Sequence, residues 1–255
     1  MFIITGGGSG IGKALALALA KRDKSVIIIG RREELLKETA AQSGLIQYLV
    51  ADVSTAQGLD RIVEFVKQLP MITALINNAG TINPVVSLQD MHIDSWHQTL
   101  NTNLDAALFL PQKLHDKLTG GRVLNIGSGV AYFPVRGWGA YCVSKAALSM
   151  LTRCWQLEAQ QIHFASVMPG IVDTEMQAIA RTGNNMELEN VQFYQSLKQN
   201  NRLIFPEVVA EFLTWLLLSI DEQTFSSREW DIYDTSHHAS WLKSPHQILH
   251  WDCNV

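Results

Sequence analysis

The opening residues, Met1 to Arg22, narrow the possible folds more than any other part of the chain. Phe2-Ile3-Ile4 is a short apolar run, Thr5-Gly6-Gly7-Gly8-Ser9-Gly10-Ile11-Gly12 a glycine-rich turn, and KALALALAKR a strong helix former. The order is strand, turn, helix. Glycines let the backbone approach a diphosphate and let a helix pack closely on a strand, and free N–H groups at the helix N-terminus attract phosphate charge. A glycine-rich turn alone says little. Placed between a buried strand and a helix, at the start of an alternating chain, it points to a dinucleotide site.

The alternation continues. Ser25 to Ile29 reads as the second strand, Leu45 to Val50 as the third, Ile72 to Ile76 as the fourth, VLNIG (Val123 to Gly127) as the fifth, Ile162 to Met168 as the sixth and Glu229 to Tyr233 as the last. Helical patterns separate them, including one continuous helix expected from Asp94 to Leu118 and another through AALSMLTRCWQLEA. This predicts an α/β fold: a single doubly wound, Rossmann-type parallel sheet with helices on both faces, over residues 1–233. A length of 255 residues with 47% apolar content suffices for one such domain. The formal charge of −4, without long runs of one sign, gives no reason to expect nucleic acid or an anionic membrane as partner. No apolar run reaches the roughly 18 residues of a membrane span, and a cytoplasmic protein is expected. Cys142, Cys154 and Cys253 lack metal or redox spacing and are expected as reduced thiols, the first two buried on a helix.

Polar residues gather at the expected carboxyl ends of the strands, where open α/β sheets place their ligands. The second strand ends in Gly30-Arg31-Arg32. An acidic residue there would bind a ribose 2′-hydroxyl; Arg31, with Arg32, favours the 2′-phosphate of NADP, unless the pair only opens the next helix as solvated charge. Asp52-Val53 follows the third strand, where a carboxylate can accept a hydrogen bond from adenine or serve as a turn or cap residue. Asn77-Asn78-Ala79-Gly80 leaves room for a cofactor, although such amides often only satisfy loop backbone. Asn101 and Asn103 inside a helix suggest a purpose, because Asn competes for backbone hydrogen bonds there. Ser128 ends the fifth strand, and Tyr141 and Lys145, four residues apart, share one helical face. An ammonium near a phenol favours phenolate and lowers its pKa, making Tyr141 a usable proton donor or acceptor.

Residues 175–205 are polar, including Thr182-Gly183-Asn184-Asn185, with Met176, Phe193 and Tyr194 interleaved, and read as a substrate lid or binding loop. The tail, 234–255, carries Trp241, Trp251, His246 and His250. The two histidines have helical metal-ligand spacing but no evident third ligand, so no metal is expected and the tail is read as packing on the domain or on a neighbouring subunit.

Together these motifs resemble the short-chain dehydrogenase/reductase family over about residues 2 to 233: T-G-x-x-x-G-x-G at Thr5 to Gly12, N-N-A-G at Asn77 to Gly80, Asn103, Ser128, Y-x-x-x-K at Tyr141 and Lys145, and P-G at Pro169. Gly137-Trp138, Pro169 to Gln177 and the ending Asp231-Ile232-Tyr233-Asp234 are similar to its sepiapterin reductase and benzil reductase branch. The resemblance implies NADPH-dependent reduction of a small ketone or diketone. Ser128 would hold the carbonyl, Tyr141 protonate its oxygen, Lys145 bind the nicotinamide ribose and lower the Tyr141 pKa, and Asn103 hold a water. Thr5, Gly6, Gly10, Ile11, Gly12, Arg31, Arg32, Asp52, Val53, Asn77, Ala79, Gly80, Pro169, Gly170, Val172 and Thr174 would meet NADP(H). Trp138, Phe133, Met176 and Phe193 would wall the substrate, with Phe133 equally readable as core. Asp231 would anchor amino-bearing substrates or sit as an ordinary surface residue. The family also implies a homodimer or homotetramer through 94–118 and 139–159. An alcohol or steroid-type dehydrogenase and a nucleotide-sensing protein without turnover are the other readings. The glycine-rich turn departs from many NADP-dependent members, carrying Gly8-Ser9 where they have a basic residue.

Overall fold

A computed structural model of the chain describes residues 1–183 and 185–249. Seven parallel strands form one sheet in the order β3-β2-β1-β4-β5-β6-β7. They are β1 (Phe2–Thr5), β2 (Val26–Gly30), β3 (Ile46–Val50), β4 (Ala74–Asn77), β5 (Arg122–Ile126), β6 (His163–Met168) and β7 (Trp230–Asp231). The continuous apolar runs follow from burial on both faces. Along β1 and β2, Phe2, Ile4, Val26 and Ile28 join one core layer, with α1 (Gly10–Ala20) and, late in the chain, Pro206–Leu218. Ile3, Ile27 and Ile29 point into the opposite layer with Leu59, Ile62 and Leu110. Strand order reverses between β1 and β4, which opens a crevice at their carboxyl ends. The doubly wound sheet expected from the alternation is the one observed.

The long helix expected from Asp94 to Leu118 is broken. After α2 (Glu33–Ala40) and α3 (Ala56–Phe65), α4 (Ile93–Leu100) runs into a π-turn, Asn101–Asp105, before α5 (Ala106–Lys113) and the single turn α6 (His115–Leu118). The wider turn carries Asn103 inward. Its side-chain amide donates to Thr81 O at 2.9 Å and to Ser144 Oγ at 3.0 Å, and its oxygen accepts from Thr81 N at 2.8 Å. A π-turn at a functional segment is a recurrent pattern.

Helix α7 (Gly139–Glu158) crosses behind the crevice. Neither of its cysteines is buried as expected: Cys142 is half-buried and Cys154 exposed. Cys154 lies two positions after buried Thr152, about 200° around the helix and so away from the sheet. The polar stretch from 175 to 205 is mostly helical, as α8 (Glu175–Ala180) and α9 (Leu188–Gln199). A bridge between Val172 and Ile204 ties its two ends together. Helix α10 (Pro206–Leu218) and α11 (Glu222–Phe225) follow. The last strand is shorter than expected because the Asp231 carboxylate accepts from Tyr233 N at 3.0 Å and turns the chain.

Beyond it, α12 (His238–Trp241) folds back onto the domain. Trp241 lies 4.9 Å from Phe212 of α10 and donates to His237 Nδ1 at 2.8 Å, while His237 Nε2 meets Asp231 O at 2.9 Å. Because Nδ1 accepts, Nε2 carries the proton. Asn184, His250, Trp251 and Cys253 lie outside the described residues. No helix among the described residues is long and apolar enough to cross a membrane.

Candidate active site

The crevice at the carboxyl ends of β1, β4, β5 and β6 is a cleft of about 1190 Å³. Its floor at the glycine-rich turn is shaped for an anion. Gly6 and Gly10 hold φ of +69° and +51°, a region L side chains rarely adopt, and a Cβ on Gly12 would sit 2.4 Å from Gly6 O. Ser9 opens α1 without a side-chain cap, and the first turn holds no acidic residue. The helix N–H groups are therefore open to a phosphate. Gly6, Gly10 and Ile11 line the cleft as expected, whereas Thr5 and Gly12 shape it from beneath. The Thr5 hydroxyl accepts from Asn78 N and Ala79 N, both at 3.0 Å, and so pins the end of β4 to β1.

Asn77 does not reach the cleft, which corrects one expectation. Its amide donates to Asn125 Oδ1 at 2.8 Å, and Asn125 in turn donates to Thr152 on α7, so Asn77 belongs to the sheet–helix packing. Asn78 lines the cleft in its place, with Ala79 and Gly80. Its amide donates to Thr5 O at 2.8 Å. At the far end, Arg31 Nη1 lies 3.6 Å from Asp52 Oδ2, and Val53 lines the wall beside them. Burial pushes the Asp52 carboxyl up, but hydrogen bonds from Ser54 and the Arg31 charge hold it below the usual value. Asp52 is thus a turn residue as well, accepting from Ser54 N. Arg32 reaches the other way, donating to Glu175 at 2.7 Å and to Ser9 Oγ at 2.8 Å.

Ser128, Tyr141 and Lys145 converge mid-cleft. Tyr141 and Lys145 are 8% and 5% exposed, and Lys145 Nζ lies 5.7 Å from the Tyr141 ring centre while donating to Ile126 O at 2.7 Å. The expected lowering of the phenol pKa is not what the structure gives. Burial pushes Tyr141 up to about 12, against a smaller pull downward from its hydrogen bond with Ser128, and desolvation brings Lys145 down to about 8. Burial is the largest influence on the phenol, and the ammonium, which donates to Ile126 O, does not offset it. Asn103 stands behind Lys145 and Gly80 rather than on the cleft wall; its amide braces the Thr81 backbone.

Pro169, Gly170, Val172 and Thr174 form the opposite wall, and Trp138, Phe133, Met176, Phe193 and Asp231 the outer cleft. Phe133 is 48% exposed and so is not core. Asp231 faces the cleft, and no arginine pairs with it among the described residues. Tyr194, expected only as one of the aromatic residues of the binding loop, stacks on Trp138 with ring centres 5.4 Å apart. The adjacent aromatic pair Phe193-Tyr194 in a polar helix was the signal available.

Comparison with known proteins agrees with this geometry. The family described as short chain dehydrogenase matches residues 1–185. A benzil reductase ((S)-benzoin forming) of Bacillus cereus is 32% identical over 84% of this chain and 92% of its own length. A sepiapterin reductase of Bos taurus is 30% identical over 91% of this chain and 94% of its own. The crystal structure of a short chain dehydrogenase/reductase from Saccharomyces cerevisiae superposes with a TM-score of 0.87 at 27% identity, covering 95% of this chain and 99% of that one.

Proposed function

Because the chain belongs to the short-chain dehydrogenase family, and is therefore an oxidoreductase using a nicotinamide cofactor, we propose that it is an NADPH-dependent reductase of small ketones or diketones. The observation that carries this reading is the set of half-buried Ser128 and buried Tyr141 and Lys145 in the same cleft as an uncapped helix N-terminus, where the sheet order reverses. The glycine cradle and the open N–H groups of α1 fit a diphosphate. Arg31 fits a 2′-phosphate, and Val172 and Thr174 fit the carboxamide end. When bound, the reduced cofactor supplies hydride to the carbonyl carbon.

The chain's own residues do the rest. The Ser128 and Tyr141 hydroxyls hold the carbonyl oxygen, and Tyr141 donates its proton to that oxygen as negative charge develops there. A phenol pushed up to about 12 is protonated at neutral pH, the form needed to donate. Lys145, still mostly an ammonium at pH 7, holds the nicotinamide ribose. Trp138, Met176 and Phe193 exclude water, and α8 and α9 act as the substrate lid. Phe109, Val143, Met150 and Leu157 are exposed on α5 and α7 and support association into a homodimer or homotetramer of a cytoplasmic enzyme.

The test is to follow NADPH and NADH absorbance with purified protein against aryl ketones, diketones and sepiapterin. Oxidation of NADPH by a diketone in preference to NADH is expected. No turnover of any carbonyl with either cofactor would overturn the reading.

A further inference from the structure

The catalytic set accounts for one oxygen of the substrate, yet of the other phenols that line the cleft, Tyr132, Tyr194 and Tyr233, one stands beside it unused. Tyr194 lies on α9, and its ring is fixed on both sides: stacked on Trp138 at 5.4 Å and 21°, and edge-on to Phe193 at 5.2 Å and 65°. Trp138 in turn meets Tyr141 edge-on at 6.0 Å. The three rings Tyr141, Trp138 and Tyr194 therefore run in sequence along one wall of the cleft. The backbone of Tyr194 is held as well, its carbonyl accepting from Gln177 Nε2 at 3.4 Å.

What is left over is the hydroxyl. No described residue hydrogen-bonds it, it keeps some accessible surface, and the residue that carries it lines the cleft. A hydroxyl in reach of solvent is met by water when no ligand is there, and a substrate oxygen placed against it takes over that water's hydrogen bond. Burial, together with the nearby Tyr141, pushes its pKa far above the usual tyrosine value, which keeps it a neutral donor at any working pH.

We propose that the Tyr194 hydroxyl donates a second hydrogen bond to the substrate, selecting carbonyl compounds that carry another oxygen acceptor adjacent to the reacting carbonyl, as a 1,2-diketone does. This rests on the reading of Tyr141 as proton donor to the reacting oxygen. One carbonyl oxygen sits between Ser128 and Tyr141, and the neighbouring oxygen turns along the Trp138 face towards Tyr194. The bond is made to a group that does not react, so it is equally present before and during hydride transfer. Its loss raises KM and leaves kcat nearly unchanged.

The experiment compares benzil with deoxybenzoin, which has the same two rings but a methylene in place of the second carbonyl. Steady-state kinetics with NADPH are measured for the full-length wild type and Tyr194→Phe, a change that keeps the ring stack. The expected result is a rise of about three- to tenfold in KM for benzil and no change for deoxybenzoin. Equal effects on both substrates, or none on either, overturn the assignment of Tyr194 while the reductase reading stands. Wild-type protein that reduces neither compound overturns the reductase reading and this inference with it.

Discussion

Replacing Arg31 with alanine isolates the cofactor argument. Arg31 follows β2 at the place where a ribose 2′-substituent would lie, and its one ion pair among the described residues is with Asp52 at 3.6 Å, a long contact. Arg32 is engaged already, by Glu175 and Ser9. A charge-assisted hydrogen bond contributes roughly 1.5–3 kcal/mol. Because the Arg31 side chain is 57% exposed, solvent screening places the loss near the lower end, about tenfold in affinity. Fluorescence titration of the wild type and Arg31→Ala with NADPH and NADH measures it. NADPH affinity is expected to fall about tenfold with NADH affinity unchanged, and Arg32→Ala to do less. The thermal midpoint should hardly move, since an exposed ion pair contributes little. Equal losses for both cofactors, or a wild type that binds them equally, would refute the reasoning.

Gly12→Ala places a methyl 2.4 Å from Gly6 O and 2.6 Å from Asn78 Nδ2, so the turn must shift. A cost of about 1–3 kcal/mol in stability, with loss of cofactor binding, should appear in thermal melts and titrations. Desolvation lowers the pKa of His237 below its ordinary 6.5, so the folded state binds fewer protons than the unfolded one as pH falls below that value. Stability is therefore full above about pH 6.5 and declines as pH drops through the folded value; melts from pH 8 to pH 5 check this, and His237→Gln should flatten the decline. With Tyr141 protonated up to about 12, the alkaline limb belongs to Lys145, so kcat/KM for ketone reduction should fall above a pKa of about 8. A profile flat to pH 10 would contradict it.

The sheet was legible because β-branched runs such as Val26 to Ile29 and the turn at Thr5 to Gly12 are local signals whose meaning does not depend on distant residues. The Ser128, Tyr141 and Lys145 set was legible for the same reason, through spacing on one strand end and one helix. What sequence could not give were the long-range choices. Asn77 and Asn78 are neighbours of identical chemistry, and only the pairing of Asn77 with Asn125 and Thr152 decides which one faces the cleft. The π-turn at Asn103 depends on Thr81 and Ser144, 22 and 41 residues away. Helices α8 and α9 escaped notice because their apolar residues serve the cleft rather than the main core; in α9 only Leu197 is buried. The sign of the Tyr141 shift was misjudged because burial depth, which outweighs the ammonium, is not written in the i, i+4 spacing.

The central claim is that Tyr141 gives the proton, and Tyr141→Phe tests it most directly because the ring and its edge contact with Trp138 survive. Turnover of a diketone and binding of NADPH are measured on the same preparation. The account predicts a loss of turnover of about a hundredfold or more, the usual scale of general acid catalysis, with NADPH affinity unchanged. Substantial turnover by the phenylalanine variant would contradict it.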